Sequence, residues 1–361
     1  MKILILTILI SVISIGLSAK QLSDSTKNQL PLIIKNTEIH GQWFLVYQRG
    51  YSDSLYNYFT MRRAYLTIKT KLSKNLTSRI TQDLTFDDEG DDKGNIELRF
   101  KYLYMQWNLP EFSSVLTNSY FEFGQVHRPW LDYEEHINAY RVQGKMATES
   151  FHLFNSAGFG ITYNALLGGK LNKEQLKNIN HHYPGKYGSF ALGVYNGGGY
   201  HAMENNFSKN IETRLSLRPF PDKISGLQIS YFGIFGKGNI KTDPDFMLNA
   251  GFLSFEAKNI VLTGQYFTGL GNSSGTWINT NNKSTPFSGY SVFAEFKIPK
   301  YKISAFGRYD YFNLQETKPT EKNRYIAGFA YKFTKKSKVI LDYNFDSANK
   351  YFTEIALEVH F

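Results

Sequence analysis

From residue 38 onward, polar and apolar residues alternate with a period of two, the mark of strands with one wet face and one apolar face. Ile96 to Tyr102 sets Ile96, Leu98, Phe100 and Tyr102 on one face and Glu97, Arg99 and Lys101 on the other. Ile211 to Arg218, Val339 to Asp346 and Ile355 to Phe361 repeat the pattern. The apolar faces are rich in Tyr and Phe, and the opposite faces carry full charges. A soluble sandwich alternates in the same way, so the period alone leaves sandwich and membrane barrel both open.

Connection lengths separate the two. About sixteen strand-like segments follow one another, an even number as bacterial single-chain barrels require. They begin near residues 38, 58, 75, 95, 118, 156, 187, 208, 224, 246, 260, 288, 301, 324, 336 and 351. Lys71 to Lys74, Ala257 to Asn259, Pro299 to Lys300 and Thr334 to Lys336 read as tight turns, whereas Gly236 to Asp245, Gly269 to Ser288 and Asn313 to Asn323 read as longer polar loops. Short turns on one rim and long loops on the other predict an all-β, transmembrane antiparallel barrel with periplasmic turns and external loops. Ala165 to Lys186 breaks this rule. It is long where a turn is due, and Asn172 to Lys177 within it reads as a small periplasmic helix, unless the strand count fails there.

The chain opens on MKILILTILISVISIGLSAK, one lysine ahead of an apolar run closed by Gly16, Ser18 and Ala19. That is the plan of an export signal, cleaved after Ser18 or Ala19. The expected layout is a signal peptide over 1–19, a periplasmic leader over 20–37 and one transmembrane barrel over 38–361. After the leader no apolar stretch is long enough for a helical span. Mean hydropathy is −0.36, yet 16% of residues are aromatic, with 25 Tyr and 29 Phe. A barrel reconciles the two, because lumen-facing residues are polar and aromatics form girdles at the membrane interfaces.

Cysteine is absent, which excludes disulfides and thiol chemistry. The net charge of +10 and pI near 9.3 would raise nucleic acid as a partner in a cytosolic protein. The export leader and the scatter of the cations argue against it.

A barrel of this size is expected to hold water rather than a packed core, so inward charges should act through their field. The register turns Arg63, Tyr65, Thr67 and Lys69 inward, then Arg79, Thr81 and Asp83, then Glu97, Arg99 and Lys101. Arg214, Arg218, Glu295, Lys297, Arg308, Asp310 and Asp342 follow further round. Cations outnumber anions on the first four strands, which favours anions in the lumen. His127 to Asn155 is the longest connection on the external rim. Its Trp130, Tyr133 and Phe151 could pin it to the wall, leaving Arg128, Glu134, Glu135, His136, Arg141, Lys145 and Glu149 to set the field of a constriction. An external lid is the alternative.

Three segments, FTMRRAYLTIKTKLSKNLTSRITQDL, GNIELRFKYLYMQW and YFEFGQVHRPW, resemble the porin O and P family of phosphate-selective porins and its relatives in Bacteroidota-type bacteria. The resemblance covers residues 58 to 130, and Tyr102-Leu103-Tyr104 departs from the family pattern at its centre. It implies a homotrimeric, sixteen-strand outer-membrane porin, contacting lipid and lipopolysaccharide and passing small anions or other hydrophilic solutes. Phosphate selection would need a cation cluster at the constriction, and Arg128, Arg141 and Lys145 stand there among Glu134, Glu135 and Glu149. Outer-membrane barrels also resemble one another in ending on an aromatic, and Ile355, Leu357, Val359 and Phe361 fit that signal for the barrel assembly machinery.

No catalytic residue, metal or cofactor is expected. Asp87 to Asp92 has Asp92 where a calcium loop needs glycine, and adjacent His181 and His182 lack a third ligand. Glycine patches lack a strand-to-helix setting, and no acyl-transfer motif occurs. An outer-membrane hydrolase would need an Asp/His pair at the rim, for which Asp132 and His136 are the close candidates. A non-conducting adhesin or assembly barrel would instead be plugged.

Overall fold

The computed structural model describes residues 32–87, 93–140, 144–200, 202–316 and 320–361. Sixteen antiparallel strands close on themselves, each paired with its sequence neighbours and β1 with β16. They are β1 Thr37–Tyr51, β2 Leu55–Lys71, β3 Leu76–Phe86, β4 Ile96–Asn108, β5 Leu116–His127, β6 Ala157–Leu167, β7 Gly188–Asn196 and β8 Lys209–Leu217. The circle continues with β9 Leu227–Lys237, β10 Asp245–Glu256, β11 Ile260–Leu270, β12 Pro286–Ile298, β13 Ile303–Leu314, β14 Thr320–Lys332, β15 Lys338–Asp346 and β16 Tyr351–His360. Closure leaves no free sheet edge, the condition for a sheet to sit in hydrocarbon. The outer face supplies the apolar surface such a setting needs, with Phe59, Phe123, Phe329 and Tyr266 all exposed.

The described residues include four short helices, α1 Leu32–Lys35 ahead of β1 and, between strands, α2 Leu131–Ile137, α3 Ala147–Ser150 and α4 Lys173–Leu176. The last lies in the connection that the sequence marks as anomalous. Asn172 caps it, accepting from the Gln175 backbone while the Gln175 side chain accepts from the Asn172 backbone. Both chain ends of the barrel lie on one rim, where Gly41 and Phe361 exchange backbone hydrogen bonds of 3.1 Å. We call this the terminal rim and the opposite one the far rim. The expected contrast of loop lengths holds in part. Far-rim connections 52–54 and 347–350 are tight, so the far mouth is low beside β1, β2, β15 and β16.

Two bulges alter the expected faces. Between β3 and β4 the register passes from Thr81↔Tyr102 to Gln82↔Phe100, so Lys101 is an extra residue. A bulge puts two consecutive side chains on one face, and both Lys101 and Tyr102 point inward, each buried. Tyr102 therefore leaves the apolar face on which strict alternation places it. The β1–β2 register skips Arg62 in the same way, so Arg62 joins Arg63 inside.

The lumen differs most from expectation, because part of it is a packed core. Phe232, Ile234, Phe246, Leu248, Phe252, Phe267, Phe287, Phe293, Phe306 and Phe312 project inward from β9 to β13 and are buried. The connection from 128 to 156 folds into the barrel and covers them. Trp130 stacks on Phe232 at 5.4 Å and meets Phe252 edge-on at 5.1 Å, and Phe151 stacks on Phe312 at 4.9 Å. Inward charges on this side are accordingly buried in ion pairs and hydrogen bonds rather than solvated. Arg308 and Asp310 pair at 2.6 Å. Arg214 donates to the Pro129 carbonyl, Ser189 and Ser216, each at 2.8 Å.

Candidate functional site

The space left open lies between the inserted connection and the wall of β1 to β5 and β14 to β16. At the terminal rim it holds a cavity of about 480 Å³, lined by Arg79, Lys101, Lys332, Lys335, Lys336 and Lys338 against Asp132, Glu135 and Glu358. Six cations face three carboxylates, and Glu358 is already engaged by Lys338 at 3.2 Å and His360 at 2.6 Å. Five histidines, His40, His127, His136, His182 and His360, line the same space.

Aromatic rings hold the cations of the strand wall in place. Arg79 lies over Tyr102, 4.6 Å from the ring centre, donates through Nε to Thr81 at 3.0 Å and has Nη1 3.0 Å from His127 Nε2. Lys101 lies 4.8 Å from the Tyr65 ring centre and donates to its hydroxyl at 3.3 Å. Such contacts orient a cation without neutralising it. Toward the far rim the row continues through Arg63, which donates to Tyr65 at 3.0 Å, and Arg62, which pairs with Glu354. Arg99 lies 3.4 Å from Asp83 and 3.8 Å from Glu97, and Lys69 is half-buried beside Arg79. The bulges thus add Arg62 and Tyr102 to the lining, two residues that strict alternation does not reach. The adjacent arginines in MRRA were the available signal for the first.

The inserted connection contributes differently from expectation. Arg128 does not set a field, because it is fully buried and donates through Nε to Glu212 at 2.6 Å, pinning the base of the insert. Glu134 is also buried and accepts from the Trp130 indole at 2.8 Å. Burial pushes its carboxyl up to about 8, against the opposing pull of Arg308 and the Trp130 hydrogen bond. Glu149 is buried and Lys145 exposed, while Arg141 lies outside the described residues. Of the six expected residues that are described, Glu135 and His136 reach the cavity, and Asp132 joins them.

A second insert, 168–187, enters from the terminal rim and meets the first. Tyr183 donates to Asp132 at 2.6 Å, and the His136 and His182 rings lie 3.4 Å apart. Burial alone would raise the Asp132 carboxyl, but His136, His127, His182 and the Tyr183 hydroxyl hold it well below the usual range. The Asp132 and His136 pair lines the cavity at the terminal rim, with Asp132 held by the Tyr183 hydroxyl. Among the described residues no cluster of three His, Asp or Glu is arranged to hold a metal.

No family model and no curated protein matches this sequence, so the O and P porin resemblance rests on the segments quoted above. Solved structures do match. OmpF of Salmonella typhi, in complex with daunomycin, superposes with a TM-score of 0.63 at 13% identity, covering 90% of this chain and 97% of that one. The anion-selective porin of Comamonas acidovorans gives 0.60 at 9% identity, covering 90% and 99%. A loop-deletion mutant of OmpT, an outer membrane protein of Vibrio cholerae, gives 0.60 at 11% identity over the same shares. The chain has the fold of bacterial outer-membrane barrels of the porin type.

Proposed function

We propose that this chain is exported by its first 19 residues and forms an outer-membrane diffusion channel for small hydrophilic solutes, with a preference for anions. The observation that carries this reading is the open, cation-lined space beside the inserted connection. The inward row Arg62, Arg63, Lys101 and Arg79, ending in the lysines of the 333–337 turn, offers an anion a favourable potential. Glu354, Asp83, Asp132 and Glu135 interrupt it, so the bias is moderate rather than strict. A homotrimer in contact with lipopolysaccharide and a phosphate preference belong to the same reading through the family resemblance, as does delivery by the barrel assembly machinery through the signal ending on Phe361.

One observation favours a second reading, a barrel closed to solutes. The two inserts meet inside the lumen over a buried aromatic core. Single-channel recording in a planar bilayer separates the two. Stepwise conductance with an anion-biased reversal potential in a salt gradient is the expected result. Replacing Arg79 and Lys101 together with Gln should lower the anion-to-cation permeability ratio by about twofold or more. Absence of conductance sinks the channel, whereas an unchanged ratio sinks only the role given to these two cations.

A further inference from the structure

A second cavity, of about 390 Å³, lies between the 168–187 insert and the wall of β4 to β8. The insert forms a fixed roof over it. Asn180 donates to Glu256 from backbone and side chain at 3.0 and 2.8 Å, and its Oδ1 accepts from the His182 and Tyr183 amides at 3.2 and 3.3 Å. Arg218 donates to the Gly185 carbonyl at 3.3 Å. Tyr183 lines this cavity and Asp132 the cation-lined one, so their 2.6 Å hydrogen bond stands between the two spaces. The volume falls within the range of about 300–1,000 Å³ in which proteins hold small molecules.

Arg214 sets the chemistry of this space. It is 1% exposed and lines the cavity from β8. Its Nε donates to the Pro129 carbonyl and its Nη1 to Ser189 and Ser216, while the Tyr133 and Tyr183 ring centres lie 4.3 and 4.7 Å from its guanidinium. All of these partners are neutral. Arg128 and Arg308, also buried, are each paired with a carboxylate, Glu212 and Asp310. Among the described residues Arg214 has no such pair, and its Nη2 donates to none of them. A buried cation without a counter-charge is costly, and an arriving anion relieves that cost.

The rest of the inner lining is polar and uncharged. Tyr120 on β5 and Asn164 on β6 stand directly opposite each other on the cavity wall, and neither side chain has a hydrogen-bond partner among the described residues. Gln106 donates to Asn108 at 2.8 Å, which leaves the Asn108 amide group to donate in turn. An apolar occupant would strand these groups, whereas hydroxyls would serve them. Glu111, Lys170 and His181 stand at the edge of the cavity and are exposed.

We propose that this cavity binds one small hydroxylated monocarboxylate, its carboxylate on Arg214 Nη2 and its hydroxyls on Tyr120 and Asn164. One buried positive charge matches one negative charge, whereas a phosphate dianion would bring a second charge that no buried cation on this wall meets. Nε and Nη1 are already engaged, so the contact is to one nitrogen rather than a two-point fork, and affinity in the millimolar range follows. The site lies beside the cation-lined space and does not depend on the barrel conducting.

Calorimetric titration of the whole barrel in detergent micelles with gluconate, at fixed ionic strength, tests this. One saturable site per chain is expected. Sorbitol, which keeps the hydroxyls without the carboxylate, and acetate, which keeps only the carboxylate, should each bind about tenfold or more weakly. Arg214→Gln should abolish gluconate binding. Tyr120→Phe and Asn164→Leu leave the bonds of Arg214 intact, should each weaken binding about threefold or more, and decide the matter if the Arg214 variant does not fold. Acetate or chloride binding as tightly as gluconate overturns the hydroxy-acid assignment. Absence of saturable binding overturns the site, as does binding that survives all three variants or is lost instead on replacing Arg79 and Lys101 with Gln. Gluconate binding of the expected pattern in a barrel that passes no current keeps the site and overturns the channel.

Discussion

Arg128 and Glu212 face each other at the base of the far-rim insert, and neither side chain has any exposed surface. In an eight-residue window the sequence shows Arg128 as one more polar loop residue, because what buries it comes from β8 and from Phe154 and Tyr195, whose rings lie 5.2 and 5.6 Å from its guanidinium. Arg128→Ala leaves a buried carboxylate alone and should cost about 3–5 kcal/mol, read from urea unfolding of the barrel in micelles. Arg128→Met combined with Glu212→Leu should recover most of that loss, since neither charge is then stranded. The anion bias should survive in the double variant, because Arg128 does not reach the open space. A lost bias would return this residue to the filter. The same limit on sequence reading applies to Glu134, whose role depends on a hydrogen bond from Trp130 that only the folded insert creates.

At the scale of one strand, β4 shows both what alternation reveals and where it fails. Glu97, Arg99 and Lys101 face inward as the period of two demands, yet Tyr102 faces inward as well. The bulge resets the phase, and no residue type announces it. Gln125 helps it persist, since its side-chain amide donates to the carbonyls of Phe100 and Lys101, which backbone pairing with β5 does not reach. Deleting one residue from a barrel strand ordinarily sends a whole face to the wrong side. Deleting Lys101 should not, because Tyr102 then follows an inward Arg99 and an outward Phe100 in unbroken alternation. We expect the Lys101 deletion to fold with stability within about 1 kcal/mol of the parent and to show a weaker anion bias. Deleting Phe100 instead would turn Lys101 toward lipid, at a cost of about 2–4 kcal/mol near the membrane midplane. Comparable stability of the two deletions, measured by urea unfolding, would mean that the bulge migrates freely along the strand.

For the whole barrel, strand number and closure were legible because they depend on local signals repeated around the circle: turn residues, alternation and a terminal aromatic. The filled half of the lumen was not read, although β10 carries a sign of it. Phe246, Leu248, Ala250 and Phe252 face inward while Met247, Leu253 and Phe255 face outward, so the strand is apolar on both sides, as strands buried on both faces are. The base of the insert is closed, with the Arg128 amide donating to the Ser156 carbonyl at 3.2 Å and His127 paired with Ala157, so the wall does not depend on what lies between. Replacing residues 130–154 with a short Gly/Ser linker should therefore leave a folded barrel. It removes Trp130, whose loss alone is worth about 3–5 kcal/mol, and uncovers the phenylalanines of β9 to β13, so the variant should unfold at clearly lower urea. Its conductance should rise about twofold or more, as roughly half the lumen is returned to water. The sign of selectivity decides where the field originates. The insert brings Asp132 and Glu135 to the open space, whereas Arg62, Arg63, Arg79, Lys101 and the lysines near 335 belong to the wall and its turns. The excised barrel should therefore stay anion-biased, and a reversal potential that drops to zero or changes sign would place the filter in the insert after all.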